Sequence, residues 1–166
     1  MIRVFGFLVG ICLSLGATEP DYFEVSSEIV NRVQKVFEPK GYVLKGGGGR
    51  ELKAQKEIAL TFAVEQAASI DEARKIFVAI AEEAAAQVNN SHTMLYHFVK
   101  YPFDPRNVQL NVTFWPAESH RPSPLVASVN INEGILHYVL SDPQTGKKLG
   151  EHTETYQEAY QLSHRR

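Results

Sequence analysis

The chain has 166 residues, enough for one domain with an adequate core, and a formal net charge of −2. That balance, with no basic run to grip phosphates, excludes nucleic acid as a partner. The single cysteine, Cys12, sits in the N-terminal apolar stretch, so the chain beyond it has no thiol catalysis, cysteine-zinc site or disulfide.

Residues 1–17 read as a secretory signal peptide. Arg3 is the only charge before Glu19, Val4 to Leu15 is apolar, and Gly16, Ala17 and Thr18 form a small-residue exit. The apolar run is shorter than the ~20 residues of a spanning helix, so membrane contact is expected only through this leader before its cleavage. The cut is expected near Ala17, or after Gly16. A lipidated Cys12 is rejected because Ile11 precedes it and Leu13 and Leu15 continue the run. Residues 18–166 then form a single domain of net charge −3, since Arg3 leaves with the leader, located in the periplasm or outside the cell.

Asp21 to Glu38 predicts a first helix. Tyr22, Val25, Ile29, Val33, Val36 and Phe37 fall on one stripe, Asp21 suits an N-cap, and Pro39 and Gly41 close the element. Its apolar face needs the sheet, the next helix or another molecule. Gly41 to Gln66 predicts a β-hairpin, with Ile58, Leu60, Phe62 and Val64 alternating with Ala59, Thr61 and Ala63. Between the strands lies Lys45, then Gly46 to Gly49, then Arg50. Glycines bracketed by cations can cradle an anion through backbone donors. Phosphate loops, however, run from a strand into a helix, whereas Glu51 and more strand-like residues follow here. The run is therefore expected as a hairpin connection or bulge.

Ser69 to Asn90 is the clearest element. Ala73, Ile76, Phe77, Ile80, Ala81, Ala84 and Val88 recur at helical spacing, with Arg74, Lys75, Glu82, Glu83 and Gln87 on the other side. Ser69 with Glu72 makes a capping box, and Asn89 and Asn90 suit the far end. Residues 91–105 are apolar but broken by Pro102 and Pro105, and are expected as a short helix or an irregular plug on the core. Asn107 to Trp115 predicts a strand with Val108, Leu110, Val112 and Phe114 on one face. Gln109, Asn111, Thr113 and Trp115 take the other.

A polar, proline-broken loop spans 116–124. Leu125 to Asn132 alternates Leu125, Ala127, Val129 and Ile131 against Val126, Ser128 and Asn130, and a tight turn at Asn132-Glu133-Gly134 leads into a strand from Ile135 to Leu140. Ser141 to Gly146 is a turn cluster, and Thr155 to Leu162 predicts a short helix with a second capping box. The order helix-β-β-helix-β-β-β-helix predicts an α+β domain: a mainly antiparallel sheet with the long central helix packed on one face.

The chemistry is mostly eliminated. None of the six histidines pairs at one-turn helical spacing with an adjacent glutamate, so no metal is expected. No Gly-x-Ser-x-Gly elbow exists, Ser119 beside His120 is only a sequence neighbour, and the loop carboxylates of Glu118, Glu133 and Asp142 read as solvated. No catalytic residue and no cofactor is expected. Binding remains. Trp115, the one tryptophan, shares a strand face with Thr113 and Asn111, borders His120 in the loop, and meets Tyr138 if the last hairpin keeps register. These five form a candidate surface for a protein, peptide or glycan partner; the simpler alternative tucks Trp115 under the loop or the C-terminal helix. An edge strand that pairs with a partner's strand is a further mode. The expected function is non-enzymatic binding or assembly in the bacterial envelope or extracellular space. The alternatives are a small exported hydrolase with a site built from loops 116–124 and 141–148, or a secreted effector.

Overall fold

A computed structural model of the chain describes residues 21–52, 55–98, 102–115 and 123–165. The protein is an α+β domain. Its main elements are helix α1 (Tyr22–Phe37), strands β1 (Tyr42–Leu52) and β2 (Gln55–Val64), and helices α2 (Ile70–Asn89) and α3 (His92–Leu95). Strands β3 (Val108–Phe114), β4 (Leu125–Asn132), β5 (Ile135–Ser141) and β6 (Lys148–Thr155) and helix α4 (Tyr156–Ser163) follow. The six strands lie in sequence order in one sheet. Every neighbouring pair is antiparallel except β2 and β3. A parallel pair needs a crossover, and α2 supplies it.

The helices and one sheet face share one core. Ile58, Leu60, Phe62 and Val64 of β2 and Val108, Leu110, Val112 and Phe114 of β3 are buried with Phe77, Ile80, Ala81 and Ala84 of α2. Each large apolar side chain so buried stabilises the fold by about 1.5–3 kcal/mol. Both capping boxes form, Ser69 with Glu72 and Thr155 with Glu158. The far end of α2 closes without a left-handed residue: Asn90 stays right-handed at φ −86°. The Asn89 amide instead bonds both backbone groups of Phe103, at 3.0 and 2.7 Å. With Met94 and Phe103 both buried, the stretch after α2 does plug one end of the core.

The glycine run departs from its expected place. Gly46 to Gly49 lie inside β1, paired with Ile58 to Thr61, and only Lys45 is extruded as a bulge. The reason is α1, which packs directly on this strand. A Cβ at Gly47 would stand 2.8 Å from Val30 Cγ1, and one at Gly49 would stand 2.6 Å from Tyr22 Cε1. Neither approach leaves room for a side chain, so the alternate glycines form the seat of the helix.

Two further corrections concern the last strands. Among the described residues four strands follow α2, not three, because Lys148–Thr155 forms β6. It is an edge strand with most residues exposed or half-buried, so it needs no apolar alternation and shows none. In β4 a bulge at Ala127 resets the alternation. Val126 turns into the core at 3% exposure and joins Val129 and Ile131, instead of facing outward with Ser128 and Asn130.

Candidate functional site: the open face of the sheet

The face of the sheet away from the core is built from the residues that alternate with the buried ones. Register aligns them in rows across all six strands. One row runs Gly46, Thr61, Asn111, Asn130, His137, Thr153. The next runs Val43, Ala63, Thr113, Ser128, Val139, Glu151. Thr61, Asn111, Asn130 and His137 are half-buried, as small side chains on a flat pleated surface are. At about 4.8 Å per strand step, the polar row from Thr61 to Thr153 extends ~19 Å.

Trp115 stands at the end of β3 on this same face and is 65% exposed. Its backbone N–H continues the ladder to the Val64 carbonyl at 2.9 Å. The indole Nε1 lies 3.4 Å from the Thr113 hydroxyl, which donates to the Phe62 carbonyl at 3.2 Å. The ring is thereby steered along the face rather than under a helix.

Of the residues expected to form the surface, Trp115, Thr113 and Asn111 are brought together, and His120 lies outside the described residues. Tyr138 is a correction. The two-residue turn at Glu133 and Gly134, both with positive φ, pairs Asn132 with Ile135. Tyr138 then falls opposite Val129 on the core side and is 0% exposed, while His137 takes the place on the open face opposite Asn130. Reading the turn as two residues and counting outward would have found His137.

Two cations in register on this face are paired, whereas Lys45, extruded at the β1 bulge, is exposed. Arg50 Nε binds Glu57 Oε2 at 2.7 Å across β1 and β2, and Lys148 is ion-paired with Glu151 along β6. Each pair cancels its own charge at one margin of the sheet, leaving a neutral centre of hydroxyl, amide and imidazole groups.

The covered face holds a cluster that sequence periodicity missed. Arg74, placed by spacing on the polar side of α2, is only 7% exposed. Its Nε donates to Glu154 Oε1 of β6 at 2.8 Å, and its Nη1 is paired with Asp71. The Tyr138 hydroxyl donates to the same Glu154 oxygen. Burial opposes the charge on Arg74, but the hydrogen bonds to Glu154 and Asp71 outweigh this and hold its pKa above the ordinary guanidinium value. Burial, then the Glu154 bond, raises the pKa of Tyr138, which keeps it a neutral donor. The His152 ring tilts against Tyr138 at 5.4 Å, and its Nε2 is buried without a hydrogen bond among the described residues. The group ties α2 to the β5–β6 edge, with Arg74, Tyr138 and Glu154 engaged with one another.

At the other end, Lys56 Nζ lies 3.0 Å from His97 Nδ1 and over the Tyr22 ring, and the Tyr22 hydroxyl donates to the Glu57 carbonyl. This closes the junction between α1 and the hairpin. Among the described residues, no group of three His, Cys, Asp or Glu side chains is placed to hold a metal ion. Nor is any helix there long and apolar enough to cross a membrane.

The fold and the site define an α+β domain with one sheet face covered by helices and the other, among the described residues, left open with a central polar row beside an exposed indole. Comparison with family models, with curated proteins and with solved structures finds no match.

Proposed function

We propose that this is an exported, non-enzymatic binding protein of the bacterial envelope or extracellular space, and that the open sheet face is its binding surface. The observation that carries the reading is the uncovered row from Thr61 to Thr153 with Trp115 standing beside it, 65% exposed. A large indole left in water on an ordered strand, beside side chains that can donate and accept hydrogen bonds, is the composition of a recognition surface. The N-terminal pattern of Arg3, the apolar run to Leu15 and the small residues to Thr18 supports export.

The test is co-sedimentation of the mature chain with isolated bacterial envelope material. Asn111→Lys, in the centre of the open face, is expected to abolish co-sedimentation. Lys75→Glu, exposed on α2, is expected to leave it intact. Equal loss from both variants, or from neither, refutes the assignment of this face. Expression of the full chain in a Gram-negative host is expected to give periplasmic protein with a new N-terminus near Ala17 or Thr18; full-length cytosolic protein contradicts export.

A further inference from the structure

The chemistry of the open face narrows what it can hold. Anionic ligands are recognised by unengaged arginine or lysine, through charge-assisted or bidentate hydrogen bonds. The cations in register on this face, Arg50 and Lys148, are already held by Glu57 and Glu151, and exposed Lys45 stands at the β1 bulge, outside the row from Thr61 to Thr153. A lipid surface or an apolar helix needs a continuous apolar patch, and the central row offers Thr61, Asn111, Asn130, His137 and Thr153 instead. Every one of these side chains carries a hydroxyl, an amide or an imidazole, groups that both donate and accept. A partner matched to such a row is uncharged and itself carries groups that donate and accept in alternation.

Trp115 supplies the second half of the match. Its ring is exposed, with Nε1 3.4 Å from the Thr113 hydroxyl, so it presents an apolar platform beside the polar row, next to a row that mixes Val43, Ala63 and Val139 with Thr113 and Ser128. A molecule with apolar ring faces and hydroxyl-lined edges satisfies both features at once. We propose that the open face binds a neutral glycan, an uncharged oligosaccharide chain laid across the strands along the Thr61–Thr153 row. One sugar ring packs on Trp115, and the hydroxyls of the chain exchange hydrogen bonds with Asn111, Asn130 and Thr153. The ~19 Å row accommodates a short oligosaccharide rather than a single sugar. This inference rests on the open face being the binding surface and names its ligand class.

Trp115 is the only tryptophan in the chain, so intrinsic fluorescence reads the platform directly. The mature protein is titrated with cello-, chito- and malto-hexaose as neutral probes and with an oligogalacturonate as the acidic control. At least one neutral probe is expected to give a saturable emission shift, and the acidic one none. By calorimetry, the binding of that probe is expected to weaken at least ten-fold in Trp115→Ala and in the double variant Asn111→Val/Asn130→Val. The valines favour strands and carry no hydrogen-bonding group, so the double variant keeps the sheet, and a circular dichroism melt verifies this. If no neutral probe binds while envelope co-sedimentation still depends on Asn111, the glycan inference fails and the binding face stands. Tighter binding of the acidic probe likewise overturns the glycan's neutrality alone. Neutral-probe binding that survives both sets of variants removes this face from glycan recognition, and envelope co-sedimentation indifferent to Asn111→Lys then removes the face itself.

Discussion

Two glycines in the same run predict opposite responses to the same added methyl group. In Gly49→Ala the new Cβ would stand 2.6 Å from Tyr22 Cε1 and 2.9 Å from Ser26 Cβ, both on the buried side of α1. Overpacking of this kind costs about 1–3 kcal/mol. The stiffer unfolded chain returns about 0.4–1 kcal/mol, which leaves a net loss of about 1–2 kcal/mol. For a domain of this size that lowers Tm by about 2–8 °C. Gly46 points to the open face, and its added Cβ would meet nothing within 4 Å. Only the unfolded-state term then acts, so Gly46→Ala is expected to raise Tm by about 1–4 °C. Thermal melts of the two variants beside the parent protein decide the matter. Equal shifts, or a Gly49→Ala variant more stable than Gly46→Ala, would show that α1 is not seated on β1 as described.

The Arg74–Glu154 pair is buried on both sides, so Arg74→Met or Glu154→Gln alone is expected to lose about 3–5 kcal/mol in urea unfolding. The double variant Arg74→Met/Glu154→Gln is expected to lose less than the sum, and strict additivity would deny the coupling. Acid should loosen the fold. Hydrogen bonding to Arg106 holds the Asp104 carboxyl below its usual range, and backbone bonding at Thr155 does the same for Glu158. A depressed folded pKa contributes stability above the unfolded value of about 4 and loses it as pH falls through the lower folded value. Tm is therefore expected to drop as pH falls below about 4, and to drop less in Asp104→Asn; identical profiles would refute this. Trp115→Ala, at an exposed position, is expected to leave stability within about 0.5 kcal/mol of the parent, and a larger loss in urea unfolding would mean that the indole is part of the core.

Local periodicity made much of this molecule readable. The stripe from Ala73 to Val88 and the box at Ser69 and Glu72 specify α2 within a residue of its ends, and the alternation from Val108 to Trp115 puts Asn111, Thr113 and Trp115 on one face. These are relations between residues two to four apart, set by the pitch of a helix or the pleat of a strand. They require no knowledge of what lies opposite.

Register and burial across the chain are a different matter. That Asn111 stands in one row with Asn130, His137 and Thr153 follows from which strands pair and where bulges fall, decided by contacts between separate elements. Arg74 looked like a solvent residue until β6 brought Glu154 to it, and the glycines looked like a loop until α1 lay down on them. Sequence alone therefore determined the class and every main element but β6. Only the tertiary structure decided which sheet face stayed open and which side chains meet upon it, because burial is a property of two surfaces brought together.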